Sequence, residues 1–205
     1  MRVVLATGNR GKLREFAALL APLGIALERQ SAFGIDPVEE TGRTFAENAL
    51  LKARHAAGAS GLPALADDSG LEVQALGGRP GVYSARFAGP DASDADNVRK
   101  LLEEMRGVEA RAARFRCVLA FVRTADDAAP LICEGAWAGH IAQAPAGEQG
   151  FGYDPVFAVP GLGLTAAQLA PERKNALSHR AQALARLVAA LATDRGALQS
   201  PGEPP

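Results

Sequence analysis

Two adjacent carboxylates, Asp67 and Asp68, directly follow an apolar run from Leu62 to Ala66. The run is typical of a buried strand, so we predict that the carboxylates lie where this strand ends. If the strand continues, the two side chains project to opposite faces, and at most one of them faces a ligand. Oxygen-rich sites of this kind suit Mg²⁺, which takes one or two carboxylates together with phosphate oxygens and water. A turn is an equally good interpretation of the segment from Asp67 to Gly70, because Asp, Ser and Gly are turn formers.

A second candidate is a glycine-bearing turn that links the first apolar run to an amphipathic helix. Its residues are Thr7, Gly8, Asn9, Arg10, Gly11 and Lys12. Backbone N–H groups and the dipole at the start of such a helix bind anions, and Lys12 adds a positive charge. The spacing differs from a Walker A loop, because Leu13 stands where Ser or Thr would bind magnesium. The turn therefore predicts phosphate binding, with an ordinary tight connection as the alternative.

A third candidate combines the acidic loop from Glu39 to Gly42 with the helical pattern from Thr44 to about Ala57. Asn48 and Lys52 are four residues apart, so they lie on one face of this helix. They can present an amide and an ammonium group to the same pocket. The helix by itself is more typical of a solvated face.

The loop from Gly147 to Asp154 places the aromatic residues Phe151 and Tyr153 between glycines. Aromatic side chains on such a loop either stack on a base or fix the loop to the core. Both interpretations stay open at this point.

A basic cluster follows in Lys174 and the segment from Ser178 to Arg180. If Ser178 caps the last helix, His179 and Arg180 lie in its first turn, where positive charge opposes the helix dipole. Such a departure from a local rule often marks function. The inference weakens if the helix begins near Glu172, which the preceding proline would allow.

The elements that position these residues alternate between helix and strand early in the chain, and strands cluster later. We predict strands at Val3–Ala6, Phe115–Arg123 and Leu131–Ala142, a long loop at Gly77–Gly89, a helix at Ser93–Met105, and a final helix with Leu177, Ala181, Leu184, Val188 and Leu191 on one stripe. This order is typical of an α/β fold with a mixed sheet. We expect residues 1–195 to form a single domain and the Pro/Gly-rich residues 196–205 to be a disordered tail.

Composition limits the classes of partner. The 205 residues include 22 basic and 23 acidic side chains, giving a formal net charge of −1. This balance lacks the basic excess of nucleic-acid-binding proteins, so we expect no nucleic-acid partner. No apolar run approaches the ~18 residues of a membrane span, and the apolar N-terminal segment is too short for a secretory signal. With only Cys117 and Cys133, reduced thiols in the cytoplasm are favoured over a disulfide.

Seven segments, taken together and in order, carry a family resemblance. They are Thr7-Gly8-Asn9-x-x-Lys12, Glu39-Glu40-Thr41-Gly42, Phe45-x-Glu47-Asn48-Ala49-x-x-Lys52-Ala53, Ala66-Asp67-Asp68-Ser69-Gly70-Leu71, Gly81-x-Tyr83-Ser84-Ala85-Arg86, Gly150-Phe151-Gly152-Tyr153-Asp154-Pro155 and Ser178-His179-Arg180. The set resembles the inosine triphosphate pyrophosphatase family in its bacterial dITP/XTP form. The resemblance covers residues 2–192, without substitution where the family places functional side chains. The departure is the tail after Ala192, which bears on no site.

The resemblance implies specific roles. Asp68 would be the proton acceptor and a Mg²⁺ ligand, with Glu39 as the second ligand. The turn from Thr7 to Lys12 would hold the triphosphate together with Lys52. The other nucleotide-binding residues would be Ser69, Phe151, Gly152, Tyr153, Asp154, Lys174, His179 and Arg180, the last two near the base.

The resemblance also implies an activity and an architecture. The expected reaction converts non-standard purine nucleoside triphosphates (ITP, dITP and XTP) to the monophosphate and pyrophosphate, cleansing the nucleotide pool. The expected protein is a cytoplasmic homodimer with no membrane partner. Its α/β fold would have two lobes around a long mixed β-sheet flanked by helices, with the active site in the cleft between them.

Base selection follows a physical logic at Arg180. Hypoxanthine and xanthine present a 6-keto acceptor, which a donor-only guanidinium can satisfy. Adenine presents an amino donor there, and a buried unpaired donor costs about 1–3 kcal/mol. Guanine shares the 6-keto group, so its rejection must use its 2-amino group, against backbone carbonyls or a tight wall.

Two rival interpretations remain from the sequence. One is a Maf-like pyrophosphatase for modified pyrimidine nucleotides, a family of related fold, against which the segment from Ser178 to Arg180 argues. The other is a non-catalytic nucleotide sensor, which would bind ITP without releasing pyrophosphate.

Overall fold

The computed structural model describes residues 1–7, 12–13, 16–17, 20 and 24–193. The strands are β1 (Arg2–Ala6), β2 (Ala26–Arg29), β3 (Ala64–Val73), β4 (Ala112–Val122), β5 (Leu131–Ile141), β6 (Phe157–Val159) and β7 (Leu164–Thr165). The α-helices with both ends among the described residues are α1 (Phe45–Ser60), α2 (Asp94–Glu104), α3 (Pro171–Leu177) and α4 (His179–Thr193). The strands form one sheet in the order β2-β1-β3-β4-β5-β6-β7. Strand β1 is parallel to β2 and β3, whereas β6 is antiparallel to β5 and β7. The predicted α/β fold, a mixed sheet flanked by helices, is confirmed.

The chain forms two compact units. The first unit contains Met1–Asp68, Val118–Glu134 and Ala181–Pro205, and the second contains Ser69–Cys117 and Gly135–Arg180. Strands β3, β4 and β5 each contribute residues to both units. The single domain expected over residues 1–195 stays a prediction, and the tail expected to be disordered lies outside the described residues.

The first unit is built around the parallel strands and α1. The side chains of β1 from Val3 to Ala6 are buried. Helix α1 contacts β1, and its buried residues include four alanines, Ala49, Ala53, Ala56 and Ala57. Because alanine side chains are short, they let the helix backbone approach the sheet closely. The helix begins at a capping box in which Thr44 accepts from the Glu47 N–H and Glu47 accepts from the Thr44 N–H.

Strand β3 does not end at Ala66 as predicted. It continues to Val73, so the segment from Asp67 to Gly70 lies inside a ten-residue strand, and its interpretation as a turn is wrong. In the sheet, β3 has neighbours on both sides, β1 and β4. Pairing on both edges outweighs the local turn preference of Asp, Ser and Gly, because strand preference depends strongly on context.

The second unit has its own apolar core, in which aromatic rings pack together. The Phe115 ring lies 4.4 Å from the Phe157 ring and 6.5 Å from the Trp137 ring, measured between centroids. Helix α2 begins at the predicted cap, Ser93, which forms a capping box with Asp96. The predicted loop from Gly77 to Gly89 contains a 3₁₀ helix, Gly81–Arg86.

The predicted final helix is two helices. Helix α3 ends at Leu177, Ser178 adopts extended backbone, and α4 begins at His179. Leu177 therefore precedes the break and is 38% exposed, so its assignment to the buried stripe is wrong. The buried residues of α4 after its first turn are Ala183, Leu184, Leu187 and Leu191.

Cys117 and Cys133 are both buried and are not joined by a disulfide, which agrees with the prediction of reduced thiols. Among the described helices, none is both long enough and apolar enough to span a membrane.

Two glycines of α1 give opposite stability predictions. Gly58 is exposed within the helix, and an added Cβ would lie 3.4 Å from the Ala125 Cβ, an ordinary contact. Gly58→Ala should therefore stabilise the protein by about 0.5–1 kcal/mol, because glycine has the greater backbone entropy to lose. Gly61 ends the helix at φ 69°, so Gly61→Ala should cost roughly 1–2 kcal/mol.

Thermal denaturation followed by circular dichroism checks this pair. The midpoint should rise for Gly58→Ala and fall for Gly61→Ala, by about 2–4 °C per kcal/mol. A lower midpoint for Gly58→Ala would contradict the packing described for this end of α1.

Candidate active site

Asp67 and Asp68 meet different partners because consecutive strand residues project to opposite faces. The Asp67 Oδ2 lies 2.6 Å from the Lys12 Nζ, and the Asp67 side chain is fully buried. The Asp68 Oδ2 accepts a hydrogen bond of 3.0 Å from the Asn48 amide. The Asp68 Oδ1 lies 3.7 Å from the Lys52 Nζ. The pair therefore divides into one carboxylate that holds Lys12 and one that faces α1.

Helix α1 supplies two of the side chains that face Asp68. Asn48 and Lys52 are one helical turn apart, as their spacing predicted, and Asn48 is 0% exposed. The interpretation of this helix face as solvated is therefore wrong for Asn48. Both residues also bind the preceding loop, since the Asn48 Oδ1 accepts from the Gly42 N–H at 2.7 Å and the Lys52 Nζ donates to the Glu40 Oε1 at 2.5 Å. The loop and Asp68 are thus held by the same turn of helix.

The family resemblance implies that Glu39 is the second metal ligand beside Asp68. In the structure Glu39 is exposed, and it is the next residue, Glu40, that is half-buried and paired with Lys52. The role of Glu39 stays a prediction. No local pattern distinguishes the two glutamates, because both lie in an irregular loop without helical or strand period.

Burial and neighbouring charges act in opposite directions on Asp68. Burial is the largest influence and raises the pKa of the Asp68 carboxyl, against the lowering effect of the Lys52 ammonium. The charge of Glu40 raises this pKa further, and the net result is a raised value. Burial also acts to lower the pKa of Lys52, but the nearby carboxylates, led by Asp68, outweigh it and raise that pKa overall. Lys52 is therefore held as a cation beside a carboxyl whose charged form is disfavoured.

In the second unit, the predicted aromatic loop is organised by Asp154. The Asp154 Oδ2 accepts from the Phe151 N–H at 2.8 Å and from the Lys174 Nζ at 2.6 Å. Both Asp154 and Lys174 are buried. Gly150 has φ 82°, and an added Cβ would lie 2.1 Å from the same Oδ2. Only glycine fits at this position, which keeps the loop closed on the carboxylate.

Two further contacts fix this loop to its own unit. The Tyr153 hydroxyl donates to the Ser84 carbonyl at 2.8 Å, and the Gly152 N–H donates to the Asp94 Oδ2 at 2.6 Å. Burial, with the nearby charge of Asp94, raises the pKa of the Tyr153 hydroxyl, which therefore remains a donor. Tyr153 fixes the loop to the core, which is one of the two interpretations left open by the sequence. No local pattern predicts the contacts of Ser84 and Asp94 with this loop, because both residues are distant from it along the chain.

Phe151 is the only partly exposed aromatic ring of the segment from Gly150 to Pro155, and two cations lie over it. The Arg180 guanidinium is 4.8 Å and the Lys174 ammonium 5.0 Å from its centroid. His179 stacks on Phe115 with centroids 4.9 Å apart. His179 and Arg180 begin α4, so the predicted positive first turn is confirmed, and the Phe151 ring offsets part of the unfavourable interaction with the dipole.

The structure describes only some of the remaining predicted residues. Thr7 is half-buried and directly follows β1, whereas Gly8, Asn9, Arg10 and Gly11 lie outside the described residues. Ser69 follows Asp68 in β3 and is half-buried. Two compact groups are therefore described, one around Asp68 in the first unit and one around Phe151 in the second.

Known proteins match most of the chain. A model described as the Ham1 family matches residues 3–190. A dITP/XTP pyrophosphatase of Methylococcus capsulatus is 60% identical over 192 residues, which cover 93% of this chain and 96% of that protein. A dITP/XTP pyrophosphatase of Shigella flexneri is 58% identical over 192 residues, covering 93% and 98%.

Among solved structures, a HAM1 protein from Coxiella burnetii matches with a TM-score of 0.89 and 50% identity, over 94% of this chain and 99% of that one. The resemblance carried by the seven sequence segments is confirmed by these matches. The chain belongs to the Ham1 family.

Proposed function

We propose that the protein hydrolyses ITP, dITP and XTP to the nucleoside monophosphate and pyrophosphate. The observation that carries the proposal is the buried Asp68 carboxylate, held by Asn48 and facing the Lys52 ammonium. A base and a cation side by side suit the attack of water on a phosphoanhydride of high negative charge. The bacterial relatives that match over nearly their whole length are named dITP/XTP pyrophosphatases, which supports the same substrates here.

The group around Asp68 fits Mg²⁺. Asp67, Asp68 and Glu40 bring three carboxylates against the two ammonium groups of Lys12 and Lys52, leaving an excess of negative charge. Among the described residues there is no group of three His, Cys, Asp or Glu side chains suited to a metal. Mg²⁺ characteristically takes one or two carboxylates and completes its shell with phosphate oxygens and water, which suits so few protein ligands. We propose Asp68 and Glu39 as these ligands.

Each side chain then has a distinct task. When bound, Mg²⁺ neutralises phosphate charge and lowers the pKa of bound water. Lys12, held by Asp67, and Lys52, held by Glu40, stabilise the charge that develops on the leaving pyrophosphate. We include the turn from Thr7 to Gly11 among the triphosphate contacts.

Bond making and breaking occur at the α-phosphorus. The oxygen of water bonds to this phosphorus, the bond to the oxygen that bridges the α and β phosphates breaks, and pyrophosphate leaves with the electron pair. The proton of the attacking water goes to the Asp68 carboxylate.

The group around Phe151 is proposed to bind the nucleoside. Arg180 and His179 contact the base, Phe151 stacks on it, and Lys174 with Asp154 fixes the loop, alongside Ser69, Gly152 and Tyr153. The Arg180 guanidinium carries only donors, so it matches a 6-keto oxygen and opposes the 6-amino group of adenine. On the family resemblance we also propose a cytoplasmic homodimer of one two-lobed domain, with neither nucleic-acid nor membrane partners.

A pyrophosphate-release assay across a nucleotide panel tests this function. With Mg²⁺, turnover of ITP, dITP and XTP should exceed that of ATP and GTP by at least about tenfold, which corresponds to roughly 1.4 kcal/mol of discrimination. Equal turnover of ATP and ITP would contradict the proposed selectivity. Preference for modified pyrimidine nucleotides would favour a Maf-like enzyme, and tight ITP binding without pyrophosphate would indicate a sensor.

Asp68→Asn should lower kcat for ITP by about 10²- to 10⁴-fold, because the amide keeps the shape but cannot accept the proton. The exposed Asp126 provides a control, and Asp126→Asn should leave kcat unchanged. Steady-state kinetics and a melting curve on each variant separate catalysis from folding. Full activity of Asp68→Asn would exclude this carboxylate as the proton acceptor.

Arg180→Ala should reduce kcat/KM for ITP more than for the residual turnover of ATP, since only ITP offers the guanidinium an acceptor. The expected difference is about 1–3 kcal/mol, the cost of an unmade buried hydrogen bond. Arg173→Ala, at an exposed position two residues into α3, is the control for loss of positive charge. Equal losses for both nucleotides would indicate that Arg180 contacts phosphate.

A further inference from the structure

Asn48 connects two parts of the first unit that are separate in sequence. Its Nδ2 donates to the Asp68 Oδ2 at 3.0 Å, and its Oδ1 accepts from the Gly42 N–H at 2.7 Å. The side chain is 0% exposed. Both ends of the amide are used, so the orientation of its oxygen and nitrogen is determined by its partners.

The loop approaches Asn48 too closely for any side chain at Gly42. A Cβ added there would lie 2.5 Å from the Asn48 Oδ1 and 2.8 Å from the Glu47 Cβ. The capping box of Thr44 and Glu47 fixes the first turn of α1 immediately before Asn48. Asn48 is therefore held from the helix and from the loop, and it has little freedom to move away from Asp68.

Asn48 and Lys52 contact different oxygens of the same carboxylate. Asn48 binds Oδ2, whereas Lys52 faces Oδ1 at 3.7 Å and also binds Glu40. A carboxylate held through one oxygen by a fixed donor has a defined rotation about its Cβ–Cγ bond. The position of Oδ1 relative to Lys52 then follows from the position of Asn48.

We propose that Asn48 is a positioning residue that sets the rotation of the Asp68 carboxylate and ties it, through Gly42, to the loop that carries Glu40. The inference rests on the proposed function, because it takes Asp68 as the proton acceptor. Asn48 itself does not touch the substrate. Its loss acts on the transition state through Asp68.

The chain offers a matched control in α2. Asn97 is also buried and also uses both ends of its amide, accepting from the Ala88 N–H at 2.8 Å and donating to the Ala85 carbonyl at 3.1 Å, both within one segment. The side-chain amide of Asn97 donates to a backbone carbonyl, whereas that of Asn48 donates to the Asp68 carboxylate. The same substitution at the two positions therefore removes equivalent hydrogen bonds, and only one of them belongs to Asp68.

The test compares Asn48→Ala with Asn97→Ala, in full-length protein, by steady-state ITP hydrolysis well below both melting temperatures. Asn48→Ala should lower kcat by about 10- to 100-fold with KM changed less than about threefold, as for loss of an outer hydrogen bond that orients a functional group. Asn97→Ala should lower the melting temperature with kcat changed less than about threefold. Should an alanine variant fail to fold, Asn48→Leu and Asn97→Leu keep a branched side chain of similar shape and remove the amide without adding a charge.

A double variant distinguishes positioning from general damage. In an Asp68→Asn background, Asn48→Ala should change the residual kcat by less than about twofold, because effects that act through one group are not additive. Equal kcat losses at Asn48 and Asn97, a loss confined to KM, or additive losses with Asp68→Asn would each overturn the inference while wild-type ITP hydrolysis left the proposed function intact. Absence of pyrophosphate release by the wild-type protein would overturn both.

Discussion

The contact between Asp68 and α1 is the interaction on which the first unit depends. A buried carboxylate is unfavourable unless donors and cations compensate it. Here α1 supplies an amide that donates a hydrogen bond and an ammonium group that lies 3.7 Å away, one helical turn apart. Where α1 begins decides which face carries them, and the capping box at Thr44 fixes that beginning. A local rule of helix initiation thus contributes to the geometry around the buried Asp68 carboxylate.

In the second unit, buried polar contacts hold the irregular loop around Phe151 in one conformation. Its ion pair between Lys174 and Asp154 is buried, a placement that by itself contributes little to stability because desolvation offsets the attraction. The pair instead defines geometry, since Asp154 also binds the Phe151 N–H. With Tyr153 held by its hydroxyl, the loop is ordered before any ligand arrives. Preorganisation of this kind reduces the entropy that binding must overcome.

Much of this architecture could be predicted from the sequence because it depends on local patterns. The period of apolar residues located β1, β4, β5, α1 and α2, and the four-residue spacing placed Asn48 beside Lys52. Errors arose where distant partners decide the outcome. Strand β3 continues past Ala66 because strands pair on both its sides, and β2 was missed because it is a short strand of mixed burial, with only one neighbour in the sheet.

The site shows the same division between local and distant signals. Each motif alone was ambiguous, and the order of all seven identified the family. The pairing of Asp67 with Lys12 and of Glu40 with Lys52 depends on how loops return to the sheet. The residues next to each of these side chains carry no pattern that predicts the path of the loop. The break at Ser178 likewise could not be separated, by sequence, from a helix that continues from Pro171.

The placement of Asp67 and Asp68 within a continuous strand limits how this gene can change. Side chains alternate along a strand, so a one-residue deletion between Ala64 and Ala66 would turn both carboxylates to the opposite faces. Asp68 would then take the place of Asp67 beside Lys12, and Ser69 the place of Asp68 beside Asn48. Substitutions in this segment can be absorbed one side chain at a time, but a change of length displaces both carboxylates at once. Insertions and deletions should therefore be confined to the connecting loops of this lineage.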